Sequence, residues 1–272
     1  MLPPPNSAEK TDFPYWLAAA IVIAVVAGLY VAANSLYAQV FRIVAQGIVI
    51  TIFVTVVAFA LASAIGLGIA LMGMSGSKLL RQAARFYVEI IRGVPILVLL
   101  FWIAFAGVPV LVAGWNALTA PLQEAGFFAA LQVRDVSLLW RAIIALTIGY
   151  SAFISEVFRA GIQAVDKGQI EAAKSLGLKR SHRFRLIILP QAIRTILPPL
   201  GNDFIAMVKD SSLVSVLGVA DITQMGKIYA AGSFRFFETY SIVAYIYLVL
   251  TVGLSLALRA LEERLRRQHS EQ

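Results

Sequence analysis

The chain has 272 residues, no cysteine, 60% hydrophobic and 14% charged residues, and a net charge of +8. A soluble domain carries roughly 25% charged residues, and four stretches here (13–41, 43–77, 93–123 and 239–258) contain no Asp, Glu, Lys or Arg. Each can supply the roughly 20 apolar residues of a membrane-spanning helix, which excludes a water-soluble globule, while the missing cysteine excludes disulfide frameworks and cysteine-based zinc or redox sites.

Taken in chain order, residues 1–12 include Pro3-Pro4-Pro5 and read as a tail. Residues 13–42 form a first span, about Tyr15–Ala33, and a connector. A cleaved signal peptide is the competing reading, because Ala32 and Ala33 follow a short apolar core; the uncharged run on to Phe41 favours a retained anchor. The second span is Gly47–Gly73, where Gly66, Gly68 and Gly73 suggest close helix packing. A basic loop with Lys78, Arg81, Arg85 and Arg92 follows. The third span begins after Gly93-Val94-Pro95 and ends near Ala113. Residues 114–137 exceed an ordinary connector and are expected to hold a short helix of their own.

The fourth span is about Leu138–Phe158, with Arg141 free to snorkel outward. Glu156 and Arg159, three apart, share a helix face and read as a structural pair. The fifth span follows Pro190, is interrupted by Pro198-Pro199 and reaches about Val208. Ser211–Ala220 is apolar but too short to span and reads as buried or re-entrant. The sixth span is Tyr240–Leu258, and 259–272 reads as a charged surface helix. The fold class is therefore an all-α polytopic membrane protein of about six transmembrane helices. Trp16, Trp102, Trp115 and Trp140 at or near span ends fit an interfacial belt, and His182 and His269 are lone histidines without a metal set.

With the N-terminus inside, 17 of the 23 Lys and Arg fall in the inner segments 1–12, 74–92, 156–194 and 259–272, leaving 6 elsewhere. That asymmetry places both ends in the cytoplasm and assigns the positive charge to membrane orientation rather than nucleic acid.

The basic stretch 156–194 carries the most specific pattern. Gly168 is expected to end one helix, and Gln169–Leu176 to make about two further turns. Ile170, Ala173 and Leu176 can rest on the bundle, while Glu171, Lys174 and Ser175 face away. Gly177 breaks that helix, and Ser181 can cap the next. Small Ala172 and Ala173 leave room for a close protein approach.

Glu171-Ala172-Ala173, then Gly177, Ile187 and Leu189-Pro190, resemble the loop of permease subunits in binding-protein-dependent ATP-binding cassette (ABC) importers. The flanking Arg92-Gly93-Val94-Pro95, Pro190-Gln191-Ala192-Ile193-Arg194, Pro198-Pro199, Gly201-Asn202 and Lys209-Asp210-Ser211-Ser212 resemble the polar amino acid branch, which takes up His, Glu, Gln, Arg and opine-type solutes. The likeness spans 43–258, a five-helix importer core to which 13–42 adds one helix. It implies a coupling loop at about 156–190, in which Glu171, Ala172, Ala173, Lys174 and Gly177 form the coupling helix and Pro190 opens the next span.

It also implies partners: a cytosolic ATPase subunit dimer that uses ATP-Mg, a second permease chain identical or not, an extracytoplasmic solute-binding protein, and the lipid of the bacterial cytoplasmic (inner) membrane. The chain has no Gly-x4-Gly-Lys-Ser/Thr sequence, so no cofactor or ATPase site is expected in it. A substrate pathway is expected along the fifth span. Asn202 and Asp203 lie near its midplane after a disrupted stretch, and Lys209 and Asp210 near its end. An ion-driven secondary transporter or channel is the alternative; it would bring inverted repeats, and no convincing repeat relates the two halves.

Overall fold

The computed structural model describes the backbone of residues 15–270 and the side chains of 18–264. The expected tail at 1–12 and the side chains of Trp16 and His269 lie outside the described residues. Among the described residues the chain is mostly helical, without strands. Helix α1 is Tyr15–Ala33 and α2 is Ser35–Val44, parted by Asn34, whose side chain accepts from the amides of Leu36 and Tyr37 at 3.1 and 3.4 Å. A 3₁₀ turn leads into α3, Ile48–Gly73, and α4 is Lys78–Gly93. The pair α5 (Ile96–Trp102) and α6 (Val108–Glu124) is joined by a π turn, Ile103–Gly107. Next come α7 (Leu138–Gln163), α8 (Lys167–Ser175) and α9 (Arg180–Arg183), and then α10 (Leu189–Asp210), α11 (Ile222–Ser233) and α12 (Phe236–Ser270).

Among the described residues four helical runs are long and apolar enough to cross a membrane: Ser35–Gly73, Ile96–Glu124, Leu138–Gln163 and Phe236–Arg264; the apolar Ala18–Ala33 is shorter. The third expected span thus does not end near Ala113. It continues to Glu124: the π turn at Ile103–Gly107 leaves the helical run unbroken, and α6 carries it on from Val108. The segment after it holds only a short 3₁₀ turn, Val133–Asp135. Asn116 fastens that segment by pairing its amide with both backbone groups of Leu131, at 2.8 and 2.9 Å. Arg141 does not snorkel outward. It donates to the carbonyls of Val136, Ala104 and Val133, one of which lies in the π turn.

The core lies between α3, α5–α6 and α7. Val54, Ala58 and Ala62 meet Ile143, Leu146 and Ile154, with Leu100 and Val108 alongside. Small residues let α3 and α7 approach, as a Cβ on Gly66 would stand 3.0 Å from the Ser151 carbonyl. Gly68 meets nothing, so of the α3 glycines Gly66 marks the contact. Hydroxyls inside this core fold back onto carbonyls: Thr55 bonds Thr51 at 2.8 Å and Ser155 bonds Ala152 at 2.8 Å. A second cluster joins α2, α11 and α12 through Val40, Val44, Ile222, Ile242 and Ile246. The first helix rests on this cluster, where Tyr245 donates to the Ala24 carbonyl at 3.2 Å.

Three further expectations are corrected. Pro198 and Pro199 do not break the fifth span, since α10 runs unbroken through them. The unwound turn sits earlier, as a π turn at Phe184–Ile188 just before Pro190, where the proline ring would crowd the preceding turn. Gly201 is not a breaker either; its missing side chain admits Leu258 of α12, which would lie 2.3 Å from a Cβ, a packing role only the tertiary fold decides. Of the expected surface helix at 259–272, the described residues 259–270 continue α12 rather than forming a separate element. Ser211–Ala220 is buried in part: Ser211–Leu217 forms a 3₁₀ turn with Ser211, Val214, Ser215 and Leu217 inside, while Val216, Gly218 and Ala220 are exposed.

Candidate functional site

Two places gather the residues the sequence singled out. The first is α8. Asp166 opens it by accepting from the Gln169 amide at 3.0 Å, which satisfies one of the free amides of a helix start. Gly177 closes it in the left-handed region, with φ +71°, where residues with a Cβ are strained. The Gly177 amide bonds the Lys174 carbonyl at 2.9 Å and the Leu178 amide bonds that of Ala173 at 3.1 Å. That pair of bonds is a Schellman ending.

Within α8 the one buried residue is Ala173, 2% exposed, and Ile170 packs beside Val165, Ala192 and Ile196. Glu171, Ala172, Lys174 and Ser175 are exposed, as the helical spacing predicts. Leu176 departs from it: at 81% exposed it does not rest on the bundle, because the helix ends at Ser175 and Leu176 serves as its C-cap. Gly168 ends no helix; α7 stops at Gln163, and Gly168 sits in the first turn of α8 against the Asp166 carboxylate. Ser181 is likewise inside the first turn of α9, whose N-cap is Lys179 without a side-chain bond. Gln191 donates to Gln169 at 2.6 Å, tying α8 to the start of α10 one residue beyond Pro190. Where α7 ends, Glu156 and Arg159 form the expected ion pair, at 2.5 Å, and Arg159 also reaches Gln163 at 2.8 Å.

The second place is a cavity of about 310 Å³ bounded by α4–α5, α7 and α10. Asp203 and Asp210 line it together, seven residues and so two turns apart on one face of α10. Gly149, Tyr150 and Phe153 of α7 form the opposite wall. Tyr150 donates to Asp210 at 2.7 Å, whereas the buried Asp203 Oδ2 has no hydrogen-bond partner among the described residues. Asn202 and Lys209 do not line this cavity; both are exposed, on a neighbouring stripe of α10. Tyr150 and Phe153 were not singled out from sequence, where they are two aromatics in an apolar span; only the packing of α7 on α10 makes them part of a site. Arg92 stands 5.4 Å over the Phe153 ring and also lines a second cavity of about 410 Å³ with Arg81, Arg85, Glu156 and Arg159.

A helical bundle with several apolar spans, acidic groups facing an interior cavity and a short capped helix held off its basic end defines a multi-pass membrane transport subunit. The particular family follows from comparison with known proteins. Residues 62–267 match the family described as "Binding-protein-dependent transport system inner membrane component", and the chain belongs to it, as an ABC importer permease of the amino acid branch. It is 39% identical over 207 residues to a probable amino-acid permease protein, YxeN, of Bacillus subtilis, covering 76% of this chain and 84% of that one. It is 35% identical over 221 residues to the glutamine transport system permease protein GlnP of Escherichia coli, covering 81% and 92%. A solved amino acid ABC transporter with histidines superposes with a TM-score of 0.68 at 39% identity, over 84% of this chain and 95% of that one.

Proposed function

We propose that this chain carries a polar amino acid into the cytoplasm through the inner membrane of a bacterium, driven by ATP hydrolysed on a separate subunit. Both termini lie in the cytoplasm, the side on which 17 of its 23 basic residues fall. The observation that carries the reading is α8, which is closed at both ends by its own residues and exposes Glu171, Ala172 and Lys174 while Ala173 anchors it. In this reading α8 docks into an ATPase subunit dimer that binds ATP-Mg. A second permease chain completes the pathway, and an external solute-binding protein delivers the substrate. Closure of the ATPases moves α8, and through Ile170 and the Gln169–Gln191 bond it moves α10.

The unpaired carboxylate of Asp203 and the Tyr150-bound Asp210 receive the amino or guanidinium group of the substrate, since buried acceptors without donors cost free energy until one arrives. Asn202 and Lys209 face outward toward the second permease chain. The test is uptake by vesicles carrying this chain with its ATPase and binding protein. Uptake should require ATP inside and vanish without the ATPase subunit. Uptake that persisted on an ion gradient alone would overturn the reading.

A further inference from the structure

Behind α8 lies a third cavity, of about 520 Å³, that neither the coupling contact nor the acidic cavity uses. Its size falls within the roughly 300–1,000 Å³ of ligand pockets. Its walls come from the end of α3, the α3–α4 turn, Ile162, Ile170 and the segment Arg180–Ile188. The turn is fixed in place, because Arg81 donates to the carbonyls of Ser75 and Gly76 at 2.8 and 3.0 Å. Most of the lining is apolar, and the charged side chains in it are Arg180 and Arg183. These two are three residues apart, so they project from one side of their helix. Neither guanidinium has a hydrogen bond or ion pair among the described residues, and no carboxylate lines the cavity to neutralise them.

We propose that this cleft binds an anionic phospholipid, its phosphate on Arg180 and Arg183 and an acyl chain along Leu71, Ile162, Phe184 and Ile188. The lining decides the class of ligand. Free phosphate would leave the apolar wall exposed, and an amino acid would find no carboxylate for its ammonium group. A lipid supplies both the anion and the hydrocarbon. Basic pockets beside spans on the cytoplasmic side recognise lipid headgroups in this way. Bound there, the lipid touches Ile170 and so supports α8 from the membrane side. The assignment to the inner leaflet rests on the orientation proposed above; the binding itself does not.

The test uses the full chain, purified with its partner subunits and placed in nanodiscs of phosphatidylcholine. A fluorescent phosphatidylglycerol is titrated in, and bound lipid is counted by native mass spectrometry. Replacing both arginines, R180A with R183A, should weaken binding roughly 30-fold, the size expected for two basic contacts to an anionic lipid. R185A, at an exposed arginine outside the cleft, should bind as the unaltered protein does. Inorganic phosphate should not displace the lipid. Equal lipid binding by the double variant, or displacement by phosphate alone, would overturn the proposal. Because the readout is binding rather than uptake, its failure is distinct from failure of the transport reading.

Discussion

Helix α8 and the acidic cavity on α10 are built over different ranges of the chain, and that decides how each responds to change. The bonds that cap α8 close between Asp166 and Leu178, and it meets the bundle through Ala173, Ile170 and the Gln169–Gln191 bond. The cavity draws its walls from residues between Ile91 and Asp210 and exists only when three helical regions pack. A locally encoded element can be handed to a partner as a rigid piece. A cavity assembled from afar can open and close as the helices around it shift.

Five substitutions test that contrast, from the largest effect to the smallest. Asp203→Asn should raise the KM for uptake by about 10- to 100-fold, the cost of losing a hydrogen bond to a charged group, while the assembled transporter still purifies intact. An unchanged KM would remove Asp203 from the pathway. Gly177→Val forces a branched side chain into the left-handed region at a cost of about 1–2 kcal/mol, so co-purification with the ATPase should fall about 5- to 30-fold. Its KM should stay constant; a shifted KM would show that the two regions are not separable.

Tyr150→Phe removes the donor to Asp210 and should shift KM by about 3- to 10-fold, near the value of one hydrogen bond. Asn202→Ala, on the outward stripe, should change KM by no more than about threefold. A larger effect than at Asp203 would put the substrate on the other stripe. Arg159→Ala breaks a half-exposed ion pair and should cost no more than about 1 kcal/mol. A thermal melt reads that, and uptake should be unaffected.

Much of α8 was legible because it is short-range. The helix, its outward face and its glycine stop all follow from local spacing. The failures there are local too: Leu176 falls one position past the helix end and so misses the bundle, and Gly168 gives way to Asp166 as the boundary. At the cavity, sequence found the carboxylates because charge in a span is rare. It grouped Asn202 with Asp203 as chain neighbours, although adjacent helix positions point about 100° apart. It missed α11 and the amphipathic α2, whose apolar faces have meaning only against α12.

The sequence by itself determined the membrane class, the position of most spans, the basic face and the capped helix, because hydrocarbon solvation and local backbone geometry act residue by residue. Tertiary structure alone decided that α10 passes unbroken through two prolines, that Gly201 makes room for Leu258, and that Tyr150 reaches Asp210 across two helices. Those outcomes depend on which side chains meet, and distance along the chain does not encode that.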